Sequence, residues 1–215
     1  MKSRGIFITF EGPEGGGKST HIALLAKAAE AQGYTILVTR EPGGTTFSQE
    51  LRKILLHPDS KLTPLTELFL YEADRAQHIE DVIIPALLKG TVVLCDRYTD
   101  STLAYQGDGR GLEVKQIQTL NNIASHGLVP DLTVVIDVDV QKGLANAHAK
   151  KKGHDRLENA GLDFHERVRK GFLRLAEEDP KRFRLIHQQE TIAETQQLIQ
   201  QVVFRFITRE ARGEK

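Results

Sequence analysis

The most constraining feature of this 215-residue chain is a glycine-rich segment, Gly-Pro-Glu-Gly-Gly-Gly-Lys-Ser, at residues 12–19. It matches the pattern G-x-x-x-x-G-K-[ST] of a phosphate-binding loop, or P-loop. An apolar run typical of a strand, Gly5–Phe10, precedes it, and residues with helical spacing follow Ser19. A strand, a glycine loop and a helix in this order favour an α/β architecture in which the helix directs its positive end at a bound anion. The alternative is a flexible glycine-rich turn that binds nothing.

Each residue type in this loop suits phosphate binding for a chemical reason. Glycines let the backbone N–H groups converge on phosphate oxygens. Lys18 supplies a positive charge to the β- and γ-phosphates, and the hydroxyl of Ser19 is a ligand for Mg²⁺. The pattern therefore predicts ATP binding at nine consecutive residues: Gly12, Pro13, Glu14, Gly15, Gly16, Gly17, Lys18, Ser19 and Thr20.

Four more short apolar runs predict strands, at Thr35–Thr39, Thr91–Cys95, Leu132–Ile136 and Arg184–His187. Most of these runs are continuously apolar, which is typical of parallel strands covered on both faces, and the last is polar enough for an edge. Helical spacing is found at residues 22–29, 65–89, 113–126, 140–149, 163–178 and 192–207, and Pro85 is expected to kink or divide the second of these helices. We predict one α/β doubly wound domain over residues 1–215.

Composition narrows the class of protein. The 29 basic residues balance the 29 acidic ones, so a nucleic acid polymer is not expected as a partner. The one cysteine, Cys95, cannot form an internal disulfide, which favours a reducing compartment. No apolar run approaches the roughly 18 residues of a membrane span, and no signal peptide is evident. We expect a cytoplasmic protein that needs no membrane.

A second chemical signal is the segment Val-Val-Leu-Cys-Asp-Arg-Tyr at residues 92–98. Asp96 ends a predicted strand, where a carboxylate can help to hold Mg²⁺, and Arg97 follows it. When both reactants are phosphorylated, cations are needed to neutralise their negative charges. Asp96 and Arg97 together therefore indicate transfer of a phosphoryl group to another phosphate. A guanine-reading Asn-Lys-x-Asp segment is absent from the sequence, which argues against a GTPase switch.

Two longer segments resemble the signatures of bacterial thymidylate kinases: Thr-Arg-Glu-Pro-Gly-Gly-Thr at residues 39–45 and Cys-Asp-Arg-Tyr-Thr-Asp-Ser-Thr-Leu-Ala-Tyr-Gln at residues 95–106. Pro130–Leu132 and Asp155–Glu158 extend the resemblance. It implies a P-loop nucleoside monophosphate kinase fold with a five-stranded parallel sheet, helices on both faces and a mobile lid. It also implies phosphorylation of dTMP to dTDP by ATP and Mg²⁺ in dTTP biosynthesis, usually by a homodimer.

The resemblance implies roles for the phosphate and sugar contacts of dTMP. Glu14 would lie near the sugar and near Arg97, Arg52 would contact the phosphate, and Tyr105 would crowd a ribose 2′-hydroxyl. An anion among phosphates is costly unless an arginine pairs with it, so Glu14 needs such a partner. The alternatives are a solvated carboxylate for Glu14 and an exposed helix arginine for Arg52.

The thymine pocket is implied to include Tyr71, which would stack on the base, and Arg75, which would donate to a base carbonyl. These two residues are four apart and therefore share a helix face, although a core tyrosine beside a surface arginine would have the same spacing. Thr102 and Gln106 are also four apart and would reach the base edge. The complete implied dTMP site is Glu14, Arg52, Tyr71, Arg75, Arg97, Thr102, Tyr105 and Gln106, and Mg²⁺ would be held near Ser19, Glu41 and Asp96.

The lid is expected at about residues 147–158. Gly15 occupies the P-loop position where many kinases carry an arginine, so the lid of the bacterial type would supply the charge, from Lys150, Lys151, Lys152 and Arg156. Lysine cannot make a bidentate clamp, so we expect Arg156, with Lys18 and Arg97, to be catalytic. The alternative for this stretch is a solvated basic loop.

Two other functions remain open from the sequence. A deoxynucleoside kinase would share the fold but attack with a neutral hydroxyl, and it would need a carboxylate base beside that hydroxyl. A non-catalytic P-loop protein would bind nucleotide as a sensor or scaffold, and it would not need a pocket for dTMP.

Overall fold

The computed structural model describes residues 4–150 and 155–212, without the side chains of residues 150, 211 and 212. One parallel sheet has the strand order β2-β3-β1-β4-β5. The strands are β1 (Phe7–Glu11), β2 (Ile36–Arg40), β3 (Val92–Asp96), β4 (Leu132–Asp137) and β5 (Phe183–His187). All four pairings are parallel, which confirms the predicted sheet and the edge position of its last strand.

Helices follow each strand and flank the sheet. They are α1 (Lys18–Glu30), α2 (Thr46–Leu56), α3 (Pro64–His78), α4 (Ile84–Leu88), α5 (Thr99–Thr102), α6 (Val114–Ala124), α7 (Val140–Lys150), α8 (Leu162–Glu178) and α9 (Ile192–Arg212). The described part of the chain contains no helix with both the length and the apolar character that a membrane span requires.

Helix α2 was not among the predicted helices. Its start is defined by Thr45, whose hydroxyl accepts a hydrogen bond from the backbone N–H of Ser48. Only Ser48, Leu51 and Leu55 of this helix are buried, although apolar residues recur at helical spacing at positions 47, 51, 54 and 55. This helix matters for the site because it carries Arg52.

The region around Pro85 continues as a helix with a changed hydrogen-bonding pattern. A π-helical turn, Ile79–Ile83, joins α3 to α4, and Pro85 lies at the start of α4. Proline lacks the N–H that a helix interior uses, and a first helical turn does not need it. The expected interruption therefore takes the form of a π-turn just before the proline.

Helices cover both faces of the sheet, as predicted. On one face α1 and α9 pack against alternate strand residues, among them Ile8, Phe10 and Val134. On the other face α3, α4, α8 and a π-helical segment, Leu103–Gly109, pack against residues such as Phe7, Val93 and Val135. Because both faces are buried, the carboxyl edge of the sheet is where polar groups can meet a ligand.

Candidate active site

The P-loop joins the end of β1 to the start of α1. Gly12 and Gly17 have positive φ angles of 126° and 83°, and a Cβ atom at Gly12 would collide with the carbonyl oxygen of Ile136. Lys18 folds over the loop, and its Nζ donates to the carbonyl oxygens of Gly12 at 3.0 Å and Pro13 at 2.8 Å. Burial lowers the pKa of Lys18 to about 8. The lysine is thus held by two neutral acceptors at the place where a phosphate would bind.

A hydroxyl and a carboxylate meet beside the P-loop. Ser19 Oγ donates to Oδ2 of Asp96, the last residue of β3. Both residues, together with Glu41 and Arg40, line a cavity of about 960 Å³, which we call the donor cavity. Hydroxyl and carboxylate oxygens suit Mg²⁺, which binds through few protein ligands and keeps water or phosphate oxygens. No cluster of three or more His, Cys, Asp or Glu side chains suited to a metal ion occurs within residues 4–150 and 155–212.

Glu14 of the P-loop and Arg97, which follows β3, form an ion pair that links these two parts of the site. Arg97 Nη2 donates to Glu14 Oε1 at 2.7 Å and to the Tyr105 hydroxyl at 2.9 Å, and the guanidinium lies 4.8 Å from the centre of the Tyr105 ring. Burial alone would raise the pKa of Glu14, but Arg97 and Lys18 outweigh it and lower the pKa to about 2. The predicted need of Glu14 for an arginine partner is therefore met, and both groups are charged.

A second cleft, of about 600 Å³, opens beside Arg97, and we call it the acceptor cleft. All eight residues of the implied dTMP site line it, although they come from four parts of the chain: the P-loop, α2, α3 and the segment 97–106 after β3. The other lining residues are Glu41, Pro42, Leu56, Tyr98, Ser101, Asp155 and Leu157. The cleft therefore combines three aromatic rings with cationic and amide groups, a mixture suited to a small phosphorylated aromatic ligand.

Arg75 is almost fully held by protein partners. Its Nε donates to Glu41 at 2.9 Å, and its Nη1 donates to Glu72 at 2.8 Å and to Asn121 at 2.6 Å. Nη2 donates to Thr102 Oγ1 at 2.9 Å. Burial opposes its charge, but Glu41 and Glu72 raise the pKa of Arg75 above its ordinary value. A guanidinium has five N–H groups, so one N–H on Nη2 is left for a ligand in the cleft.

Glu41 has partners that hold it to helix α3. Its Oε2 accepts from Arg75, and its Oε1 lies 3.0 Å from Nδ1 of His78, whose other ring nitrogen lies 2.6 Å from Thr39 Oγ1. The carboxylate still lines both the donor cavity and the acceptor cleft. Its role as a metal ligand therefore stays a prediction.

Arg52 lies between the two cavities and lines both. Its Nη1 donates to the carbonyl oxygen of Pro42 at 2.9 Å. Burial, with Arg40 nearby, lowers the pKa of Arg52 from its usual value. An arginine that is desolvated and near another cation gains from an incoming anion, so this position suits a phosphate contact.

The segment expected to be the lid is described only in part. Lys151 and Lys152 lie outside the described residues, and Lys150 is described only as the last backbone residue of α7. Arg156 Nη1 contacts Glu67 at 2.5 Å, and its Nε donates to the carbonyl oxygen of Leu55 at 2.9 Å. Arg156 lines neither cavity, and its catalytic role stays a prediction.

A further cavity of about 780 Å³ adjoins the P-loop at Gly15, Gly17 and Thr20. It extends between α7 and the loop 188–191 that follows β5. The sequence analysis missed this loop because Gln-Gln-Glu-Thr is an ordinary polar sequence with no motif. It also missed Glu67, whose partners are distant in sequence.

The sheet order and the cavities on either side of Arg97 together define a P-loop kinase of the nucleoside monophosphate kinase fold. The family described as thymidylate kinase matches residues 10–199. The chain belongs to the thymidylate kinase family, and this confirms the resemblance seen in its motifs.

Individual relatives agree with that assignment. A thymidylate kinase of Pelobacter propionicus is 51% identical over 185 residues, which cover 83% of this chain and 84% of the relative. A thymidylate kinase of Geotalea uraniireducens is 48% identical over 201 residues, or 91% and 94% of the two chains. The crystal structure of thymidylate kinase from Ehrlichia chaffeensis is 33% identical with a TM-score of 0.77, and the match covers 93% of this chain and 98% of that one.

Proposed function

We propose that this protein transfers the γ-phosphoryl group of ATP to dTMP, giving ADP and dTDP on the route to dTTP. The observation that carries the proposal is the acceptor cleft, in which eight residues from four parts of the chain surround one space beside the P-loop. Family membership supports the same reaction.

The acceptor phosphate would be held by Arg97 and Arg52. Arg97 is fixed by Glu14 and Tyr105, so its guanidinium reaches the phosphate with little loss of conformational freedom. The attacking oxygen of dTMP is already anionic, so the transfer needs no general base. Charge neutralisation is thus the main contribution asked of the protein.

The base would occupy the far part of the acceptor cleft. Tyr71 would stack on thymine, and the remaining Nη2 hydrogen of Arg75 would donate to a base carbonyl. Thr102 holds Arg75 in place, and Tyr105 would crowd a ribose 2′-hydroxyl. This arrangement supports a preference for a deoxyribonucleotide with a thymine base.

On the donor side, Lys18 would exchange the carbonyl oxygens of the P-loop for ATP phosphates. Ser19 and Asp96, with Glu41 as a further candidate, would hold Mg²⁺, because they offer hard oxygen atoms beside the loop. When bound, the ion would neutralise charge on the ATP phosphates. The cavity at 188–191 offers room for the rest of the nucleotide.

The lid at about residues 147–158 remains part of the proposal. Ala147 and Glu158 line the donor cavity, so this segment borders the transferring phosphate. Arg156 would have to leave Glu67 and Leu55 to reach that phosphate, because these partners take its Nη1 and Nε. Lys150, Lys151 and Lys152 are the other candidates for the lid charge.

We propose one domain for the whole chain, and a homodimer that works in the cytoplasm. Exposed apolar side chains support a dimer through helices α2 and α3: Phe47 and Ile54 are two turns apart on α2, and Leu65 and Phe69 are one turn apart on α3. The buried free thiol of Cys95 is compatible with a reducing compartment. Light scattering should give twice the chain mass of 24.0 kDa.

The direct test of the reaction is ADP release from ATP and Mg²⁺ with dTMP, dUMP, UMP, GMP or thymidine as acceptor. We expect strong turnover with dTMP, less with dUMP and little with the others, because a pocket gains only about 1–3 kcal/mol from one methyl group. Preference for thymidine would favour a nucleoside kinase. Nucleotide binding without turnover of any acceptor would refute the proposal.

A further inference from the structure

Helix α3 carries a carboxylate that the proposed reaction does not use. Glu67 is 1% exposed, and three side chains donate to it. Its Oε1 accepts from Gln106 Nε2 at 2.7 Å and from Arg110 Nε at 3.3 Å. Its Oε2 accepts from Arg110 Nη2 at 3.2 Å and contacts Arg156 Nη1 at 2.5 Å. Burial would raise the pKa of Glu67, but these donors lower it, so the group is ionised.

Two of these partners belong to different functional regions. Gln106 lines the acceptor cleft. Arg156 lies in the turn of residues 155–158, whose other members line both cavities: Asp155 and Leu157 face the acceptor cleft and Glu158 faces the donor cavity. The backbone N–H of Arg156 also donates to the carbonyl oxygen of Leu56 at 3.1 Å. One buried carboxylate therefore connects the wall of the acceptor cleft to this turn.

The contact with Glu67 determines which way the Gln106 amide points. An ionised carboxylate only accepts hydrogen bonds, so the amide must present its NH₂ group to Glu67. Its oxygen is then the amide atom that does not face Glu67, on a side chain that lines the cleft. An acceptor at this point matches a pyrimidine that carries N3–H, such as thymine or uracil. Cytosine presents a lone pair at N3 and would meet repulsion.

We infer that Glu67 is a positioning residue that orients the Gln106 amide oxygen toward the acceptor cleft and anchors the 155–158 turn through Arg156. The inference rests on the proposed function, because it assigns a base preference to the dTMP site. Binding of the base and the position of the turn are coupled through this carboxylate.

The variant Glu67→Gln tests the inference because it keeps the shape and removes the charge. Arg110 and Arg156 remain cationic and compete most strongly for the new amide oxygen, since hydrogen bonds with a charged partner are the stronger ones. The new NH₂ group is then left facing Gln106. The Gln106 amide has to turn its oxygen toward residue 67 and its NH₂ into the cleft, which reverses the pattern offered to the base.

We expect Glu67→Gln to lower kcat/KM for dTMP by about 10- to 100-fold, mainly through KM, and to reduce the dTMP-to-dCMP preference by at least about tenfold. Glu178→Gln is the matched control, because Glu178 accepts two hydrogen bonds from Arg174 on an exposed helix end. The control should leave both values unchanged. A purely structural role for Glu67 would lower activity with both acceptors and keep their ratio.

Cleavage by trypsin after Arg156 tests the coupling without any turnover. In the wild type dTMP should slow cleavage of the Arg156–Leu157 bond, and in Glu67→Gln cleavage should be faster and dTMP should protect less.

If Glu67→Gln does not fold, Glu67→Asp decides, because it keeps the charge and shortens the reach to both partners. Wild-type selectivity and protection in a folded variant would overturn the inference, whereas loss of dTMP turnover in the wild type itself would instead refute the proposed function.

Discussion

The acceptor cleft and the donor cavity meet at Arg97, but their cations are held in different ways. In the acceptor cleft Arg75 and Arg97 are bound by carboxylates and hydroxyls of the protein before any ligand arrives. In the donor cavity Lys18 rests on two neutral carbonyl oxygens, and Ser19 bonds to Asp96. Acceptor recognition is therefore preorganised, whereas the groups on the donor side are held by contacts that they can exchange for phosphates.

The largest expected effect is on the donor side. Lys18→Ala removes the charge that would neutralise the β- and γ-phosphates, so phosphoryl transfer should fall about 10³-fold or more, with dTMP binding retained. ADP release and calorimetric titration with dTMP measure the two properties. Lys27→Ala, on the exposed side of the same helix, is the control. Near-normal turnover in Lys18→Ala would remove the assigned role of the P-loop.

The second-largest effect on activity is expected at Arg97, where the two cavities meet. Lysine at position 97 keeps the charge but cannot hold Glu14 and Tyr105 while it binds a phosphate. Arg97→Lys should lower kcat/KM for dTMP about 10²-fold, because a misplaced cation weakens transition-state stabilisation. Steady-state kinetics with dTMP varied check this, and Arg174→Lys should have no effect. Equal kinetics for Arg97→Lys and wild type would show that preorganisation at Arg97 is unimportant.

The contacts that hold Arg75 in the acceptor cleft should also contribute to the free energy of unfolding. Arg75→Lys leaves some of the partners Glu41, Glu72, Asn121 and Thr102 without a donor in a buried site. The free energy of unfolding should fall by about 3 kcal/mol, since breaking a buried ion pair is strongly destabilising. Urea unfolding followed by circular dichroism measures the change. A loss below about 1 kcal/mol would mean that these contacts add little to stability.

The donor cavity should be the more sensitive to alkaline pH. The pKa of Lys18 is lowered to about 8 by burial, so the ligand-free lysine loses its proton as pH rises through that value. Phosphates bind the charged form, and the Kd for ATP should therefore rise about tenfold between pH 7 and pH 9. Arg97 has a raised pKa, and the Kd for dTMP should change less. Lys18→Arg, which stays charged, should flatten the ATP profile, and a flat profile in the wild type would contradict the assignment.

The smallest effect is expected at the stacking position. Tyr71→Phe keeps the ring, and burial already raises the pKa of the Tyr71 phenol so that it is neutral. KM for dTMP should change less than about threefold, whereas Tyr71→Ala should raise it by tenfold or more. Steady-state kinetics of both variants give the comparison. A large effect of Tyr71→Phe would mean that the hydroxyl contacts the ligand.

Much of the fold could be predicted because the signals are local. Four of the five strands are continuous apolar runs and the fifth is more polar, and the structure extends or shifts their ends by one or two residues. Helix α2 was missed although its apolar residues 47, 51, 54 and 55 recur at helical spacing, and no local pattern indicated the π-turn that precedes Pro85. Membership of the thymidylate kinase family was likewise readable from four ordered motifs.

The site was only partly readable. The residues of the implied dTMP site were predicted together, and they do line one cleft. The side chains that hold them in place were not predicted. Arg156 shows this best: its sequence position suggested a lid cation, and the structure holds it on Glu67, 89 positions earlier in the chain.

The P-loop could be predicted from the sequence alone, because its backbone conformation and its charges come from eight adjacent residues. Apolar periodicity also indicated the alternation of strands with most of the helices, although α2 was not predicted. Three features came from the packing of distant segments: the pairing of Glu14 with Arg97, the single N–H that Arg75 has left for a ligand, and the link that Glu67 makes between Gln106 and Arg156. The physical reason is that a buried charge must find partners wherever packing places them, and such partners are separated along the chain by distances that no local pattern encodes.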